Sequence, residues 1–235
     1  MIAGAIFDLD GTVLDSMKVW EDAPELYLES LGIKAEPGLG KTLFPMSMAE
    51  GAEFLKEHYC PDKDADAIIK GVNRIVRDFY FEQVRLKEGV GQFLKDLKQA
   101  GIKITAATTS DREFVEKALE RLDILDCFDR IFTCTEIGAG KSQPDIFLAA
   151  AEYMETVPGS TWVFEDSLYA IKTAKKAGFR TVGVYDESAG EDQEEIRSLA
   201  DIYLERLGDV AAFSGDVAAF SAKLKCCHSA EQEEI

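Results

Sequence analysis

Short apolar runs rich in β-branched residues alternate along most of this chain with longer amphipathic stretches, and that rhythm leaves few folds open. The strand candidates are Ala3–Phe7, Ile102–Ala107, Arg130–Cys134, Thr161–Phe164, Thr181–Tyr185 and Asp201–Leu204. Helical spacing separates them: in Asp111–Leu122 the apolar residues Phe114, Val115, Ala118, Leu119 and Leu122 fall on one face. Gln92–Gln99, Asp145–Tyr153 and Ser167–Ala177 read likewise, the last stopping at Gly178, a residue suited to the left-handed turn that ends a helix. Strands that each lead through a helix to the next pair in parallel. The expected fold class is therefore α/β, with a doubly wound parallel sheet.

One stretch breaks the rhythm. From Ser16 to Phe81 no strand pattern occurs. Helical patterns around Val19–Leu31, Met48–His58 and Ala65–Tyr80 are punctuated there by Pro24, Pro37-Gly38, Pro45 and Pro61. The expected organisation is a discontinuous core of residues 1–15 and 84–213, a small all-helical domain of residues 16–83 inserted after the first strand, and a tail of residues 214–235. The insertion is expected to cap the strand ends, with hinges near Asp15 and Val84–Glu88. Gly208–Ser214 is repeated at once as Gly215–Ser221; two seven-residue copies are too few for a solenoid. One copy is expected to be the last core helix and the rest of the tail to be flexible.

Composition narrows the partners. The chain has 235 residues, room for a medium domain and a small one. Its net charge of −18, from 44 acidic and 26 basic residues, repels nucleic-acid phosphates and anionic bilayers, so neither is an expected partner. No apolar run approaches the ~20 residues of a membrane span, and the start lacks the basic region of a signal peptide. The cytoplasm is the expected compartment. Cys60, Cys127, Cys134, Cys226 and Cys227 are odd in number and scattered, which suits reduced thiols. Cys226-Cys227-His228 offers too little for a four-ligand metal site.

Four segments carry chemistry. In Phe7-Asp8-Leu9-Asp10-Gly11-Thr12, two acids two residues apart follow an apolar strand, so strand alternation points both to one face at the carboxyl edge of a parallel sheet. Alone, the segment reads better as a strand running into a polar turn, since Asp-Gly is common in turns. Ile102–Ala107 runs on into Thr108-Thr109-Ser110 before a helix begins at Asp111; hydroxyls and free amides there suit a phosphate, although Ser110 or Asp111 as a plain helix cap is the competing reading. Lys141 precedes Pro144-Asp145 at a helix start. The surrounding Gly140-Lys141-Ser142 is no phosphate-binding P-loop, because Thr135 stands where that motif requires glycine. Finally, Trp162-Val163-Phe164 ends in Glu165-Asp166, a pair costly to bury unless donors or a hard cation such as Mg²⁺ compensate.

In identity and order these segments resemble the haloacid dehalogenase superfamily, over about Ile2 to Phe213, including a helical insertion where the first cap class of that family has one. The resemblance implies a Rossmann-like core and an enzyme using Mg²⁺ and an aspartyl phosphate. It implies that Asp8 is the nucleophile and Asp10 the general acid and base. Thr108, Lys141 and the amides of Leu9, Asp10 and Thr109 would bind phosphoryl oxygens. Asp8, the carbonyl of Asp10, Asp166 and Glu165 would hold the metal.

Within the family, Asp10 and Glu165-Asp166 argue against the dehalogenase branch, and no cap lysine among Lys18, Lys41 and Lys56 is marked as a Schiff base. The expected function is a phosphatase of a small phosphorylated metabolite, such as a sugar phosphate or a nucleoside monophosphate. The alternative is a β-phosphoglucomutase-like phosphomutase, whose cap histidine and arginine would fall at Trp20 and Met48. The remote alternative is a non-catalytic phosphate-ester binding protein. Trp20, Phe44, Met46 and Met48 are expected to fill the insertion's own core or to face substrate, and His58 is expected to be structural or exposed.

Overall fold

The computed structural model describes residues 2–43 and 46–207. The repeated heptapeptide, the last core helix expected there, Cys226-Cys227-His228, and Phe44 with Pro45 lie outside the described residues. Within them the chain divides into two compact units, residues 2–15 with 85–207, and Ser16–Val84. From the amino end come β1 (Gly4–Phe7) and β2 (Leu14–Asp15), then four helices: α1 (Met17–Ser30), α2 (Leu39–Leu43), α3 (Met48–His58) and α4 (Ala65–Glu82). There follow β3 (Arg85–Leu86), α5 (Val90–Gln99), β4 (Lys103–Thr108), α6 (Arg112–Arg121), β5 (Arg130–Thr133) and α7 (Cys134–Ile137). The described chain ends with α8 (Asp145–Tyr153), β6 (Thr161–Glu165), α9 (Leu168–Lys176), β7 (Arg180–Val184), α10 (Gln193–Leu199) and β8 (Ile202–Leu204).

The first unit is the expected α/β sheet. Its strand order is β5-β4-β1-β6-β7-β8, with every pairing parallel. All four residues of β1 are buried, as a central strand covered on both faces requires. Helix α9 ends as its glycine predicts: Gly178 takes φ +88°, its amide donates to Lys175, and Phe179 donates back to Ala174. Not anticipated are the antiparallel pair β2–β3, which lays Leu14 against Leu86, and the short helices α2, α7 and α10. Each is too brief to show a period. No helix among the described residues is long and apolar enough to cross a membrane.

In the helical unit, α1 packs on α4 and α2, and α3 packs on α4. Ile68, Val72, Val76 and Tyr80 recur every fourth residue as the buried stripe of α4. Ser47 and Glu50 form a reciprocal capping box that starts α3. Pro24, expected to punctuate, lies buried inside α1 instead; the packing of that face outweighs the one helical hydrogen bond proline removes. Gly71 is fixed by contact: a Cβ there would lie 2.1 Å from Tyr27 Cε2. Gly71→Ala is therefore expected to destabilise the protein by about 1–3 kcal/mol in denaturant unfolding, although helix propensity alone favours alanine.

Candidate active site

Between β1 and β6 the strand order reverses. The chain steps outward from β1 through β4 to β5 on one side, then returns to build β6, β7 and β8 on the other. Connections leaving in opposite directions open a crevice at the carboxyl ends of these two strands. Their register sets Phe7 opposite Phe164, rings stacked 4.2 Å apart, so Asp8 and Glu165 leave the two strands side by side. The Asp8 amide donates to the Phe164 carbonyl at 2.9 Å.

Asp8, Glu165 and Asp166 are all buried, and one carboxylate oxygen from each lies within 4.8 Å of the others. Lys141, 3% exposed, reaches in between α7 and α8 and donates to Asp8 Oδ1 and, at 2.8 Å, to Glu165 Oε2. Asp10 Oδ2 accepts from Ser110 Oγ at 2.7 Å and from Thr108 Oγ1 at 3.3 Å. The β1 end turns sharply: Val13 and Leu14 both donate to the Leu9 carbonyl, and Gly11 donates to Leu14. Gly11 takes φ +87°, and a Cβ on it would meet Asp166 Oδ2 at 2.5 Å, so glycine is required twice over. Thr12 Oγ1 donates to Asp166 Oδ1 at 2.8 Å.

The four separate segments thus bring together Asp8, Asp10, Thr108, Lys141, Glu165 and Asp166. Leu9 is buried beside them, and Thr109, next along from Thr108, is exposed. The sequence did not point to Thr12, nor to Asp10 as the partner of Ser110. Thr12 orients Asp166, and Ser110 turns to Asp10 rather than capping α6, whose N-cap Asp111 makes no side-chain capping bond. The signal for both was present as hydroxyl residues adjoining the acidic turn and the β4 end.

The family profile for haloacid dehalogenase-like hydrolases matches residues 5–184. This chain belongs to that family. A Thermotoga maritima phosphorylated carbohydrates phosphatase is 30% identical to this hydrolase over 178 residues, 75% of this chain and 82% of that protein. A Bacillus subtilis beta-phosphoglucomutase is 30% identical over 186 residues, covering 76% and 81%. Hexitol phosphatase B of Escherichia coli K12 is 26% identical over 215 residues, covering 90% and 95%. A solved Thermotoga maritima chain, a beta-phosphoglucomutase candidate, superposes with a TM-score of 0.81 at 26% identity, covering 92% of this chain and 100% of that one. These relatives are phosphatases of small phosphorylated metabolites, with a phosphomutase among them, and they mark this haloacid dehalogenase-like hydrolase as a phosphoric monoester hydrolase.

The electrostatics of the site follow from three buried carboxylates against one ammonium. Burial, then Glu165, push the Asp8 carboxyl well above the usual range, and Lys141 only partly offsets them. Burial and Glu165 raise Asp166 to about 7, against the bond from Thr12. Burial alone would lower Lys141, but Asp8 and Glu165 outweigh it and hold the ammonium charged. With burial and mutual repulsion raising Asp8 and Asp166, added positive charge would favour their ionised forms. The cluster's all-oxygen donors fit a hard divalent cation of the kind that this family generally uses.

An acid raised in the folded state contributes full stability below its unfolded value and loses that contribution as pH rises through the folded value. For metal-free protein, the Asp166 contribution is thus present near pH 4 and is lost by about pH 7. Asp166→Asn is expected to raise the melting temperature of metal-free protein at pH 8, to flatten this pH dependence, and to abolish the stabilisation by added Mg²⁺. Thermal melts across pH, with chelator and with Mg²⁺, check all three.

Proposed function

We propose that this chain is a Mg²⁺-dependent phosphatase of a small phosphorylated metabolite, a sugar phosphate or a nucleoside monophosphate, working through an aspartyl phosphate on Asp8. The observation that carries the reading is the convergence of Asp8, Glu165 and Asp166 with Lys141 at the sheet's crevice, Asp10 being held beside them by two hydroxyls. Asp8, Asp166, Glu165 and the Asp10 carbonyl would hold Mg²⁺, which supplies the positive charge that lets an anionic nucleophile approach an anionic ester.

An Asp8 carboxylate oxygen attacks phosphorus, and the ester P–O bond breaks with its electron pair going to the leaving oxygen. Asp10 gives that oxygen a proton, then takes one from a water that attacks the phosphoryl group on Asp8, releasing inorganic phosphate and restoring both carboxyls. Lys141, Thr108 and the amides of Leu9, Asp10 and Thr109 bind the phosphoryl oxygens, where fixed donors favour the more highly charged transition state. The Ser110 hydroxyl keeps Asp10 aimed. The helical unit, residues 16–83, serves as the substrate-selecting cap.

The beta-phosphoglucomutase relative supports a second reading, a sugar phosphomutase. A mutase must also grip a second phosphate. The positions that the family resemblance offers for that grip are Trp20 and Met48. Both line an apolar cavity of about 130 Å³ within the helical unit, together with Met46. His58 stacks on Phe54 and bonds its carbonyl, so it supplies no obvious replacement. Hydrolysis is the better-supported outcome.

A panel of sugar phosphates and nucleoside monophosphates, with p-nitrophenyl phosphate, is expected to yield Mg²⁺-dependent phosphate release that chelation abolishes. Asp8→Asn is expected to lower kcat at least about 10⁴-fold, as loss of a covalent nucleophile does; an equally active variant sinks the assignment. Conversion of β-glucose 1-phosphate to its 6-phosphate faster than its hydrolysis would select the mutase. Ser110→Ala is expected to cost roughly tenfold in kcat on sugar phosphates and less on p-nitrophenyl phosphate, whose good leaving group needs little proton donation.

A further inference from the structure

Lys87 lies one residue past β3, on the linker that brings the chain back from the helical unit, and its side chain is only 18% exposed. An ammonium group carries three N–H donors. Here each has its acceptor: the Gly11 carbonyl at 2.6 Å, the Tyr185 carbonyl at 2.5 Å and Asp186 Oδ2 at 2.8 Å. The Lys87 amide adds a bond to the Val13 carbonyl at 3.0 Å. One residue therefore binds three pieces of chain: the returning linker, the turn after Asp10, and the carboxyl end of β7.

The anchor is itself fixed. Asp186 Oδ1 accepts from the Ser188 amide at 3.0 Å and the Ser188 hydroxyl at 2.6 Å, and Gln193 Nε2 donates to the Asp186 carbonyl at 2.5 Å. What Lys87 holds is the turn on which the acidic cluster leans. Gly11 lies against the Asp166 carboxylate, Thr12 donates to that carboxylate, and Asp10 immediately precedes them.

The geometry points to Lys87 as a positioning residue for the metal-binding turn, fixing the Asp10–Thr12 backbone against Asp166. Lys87 is not among the clustered acids, and the inference rests on that cluster being a Mg²⁺ site. Removing the ammonium while keeping the stem, as in Lys87→Met, leaves two carbonyls and a carboxylate without their donor and frees the turn to shift. Lys87→Arg keeps the charge, but a planar fork cannot reproduce three donors splayed from one atom.

Lys103→Met is the control. Lys103 also bridges segments, donating to the Met154 carbonyl at 2.7 Å, but it does so at the amino end of β4, at the opposite edge of the sheet from the acids.

The test is a Mg²⁺ titration followed by thermal shift, alongside kcat and KM for the preferred phosphate ester, at a temperature where each variant is folded. Lys87→Met is expected to raise the Mg²⁺ concentration for half-saturation about tenfold or more and to lower kcat by about 10–100-fold, the usual effect of losing a group that orients metal ligands. KM for the ester should change less than about twofold, because protein acceptors already take all three donors of the ammonium. Lys103→Met should lose thermal stability and keep parental Mg²⁺ half-saturation and kcat. If Lys87→Met does not fold, Lys87→Arg carries the test, with weakened Mg²⁺ binding expected in the same direction. Folded Lys87 variants matching the parent in both Mg²⁺ half-saturation and kcat overturn this inference alone, as does a Lys103→Met protein weakened to the same degree. A parent that shows no Mg²⁺-induced shift overturns both this inference and the metal reading beneath it.

Discussion

Three carboxylates share one buried ammonium at the crevice between β1 and β6, and the architecture around them follows from that imbalance. Water would solvate these acids at far lower cost, so the fold must hold them together against their own repulsion. It does so with the stiffest material it has. The two central strands are locked in register by stacked Phe7 and Phe164, and the acids emerge only where the ladder stops. Lys141 and the hydroxyl of Thr12 supply part of the missing compensation. The cluster's all-oxygen donors could take a hard cation as the remainder.

The same architecture separates the surroundings of two aspartates only two residues apart. Asp8 sits in the buried cluster against Lys141. Asp10 lies past it, bonded to the hydroxyls of Thr108 and Ser110 from the neighbouring strand end. Asp8 meets one ammonium and two further acids, whereas Asp10 accepts from two hydroxyls. Neighbouring positions in sequence thus enter different chemical surroundings because different strands flank them.

Much of this was legible before coordinates. The core strands announced themselves because a parallel strand covered on both faces is a near-continuous apolar run, and Gly4–Phe7 and residues 162–164 are such runs. Acids closing two of those runs marked the crevice. The short pair β2–β3 leaves no trace, since two residues carry no period, and nothing in the sequence sets Lys87, one residue beyond it, apart from a surface lysine. Pro24 misled for a related reason: local preference argues for a break, and only the tertiary packing of α1 overrides it. The partners of Ser110 and Thr12 could not be read, because a hydroxyl's partner is decided by which chain lies opposite, a fact of topology rather than of neighbouring residues.

The distance in sequence between the two halves of the acidic cluster has its own consequence. Thr12 and Asp166 meet across 154 residues, so the site cannot exist until β6 has docked beside β1. A nascent chain that has delivered everything up to α8 still has no site. A cation bound there would fasten a structure already assembled and would not seed one. It should act chiefly by slowing unfolding while leaving the rate of folding almost untouched.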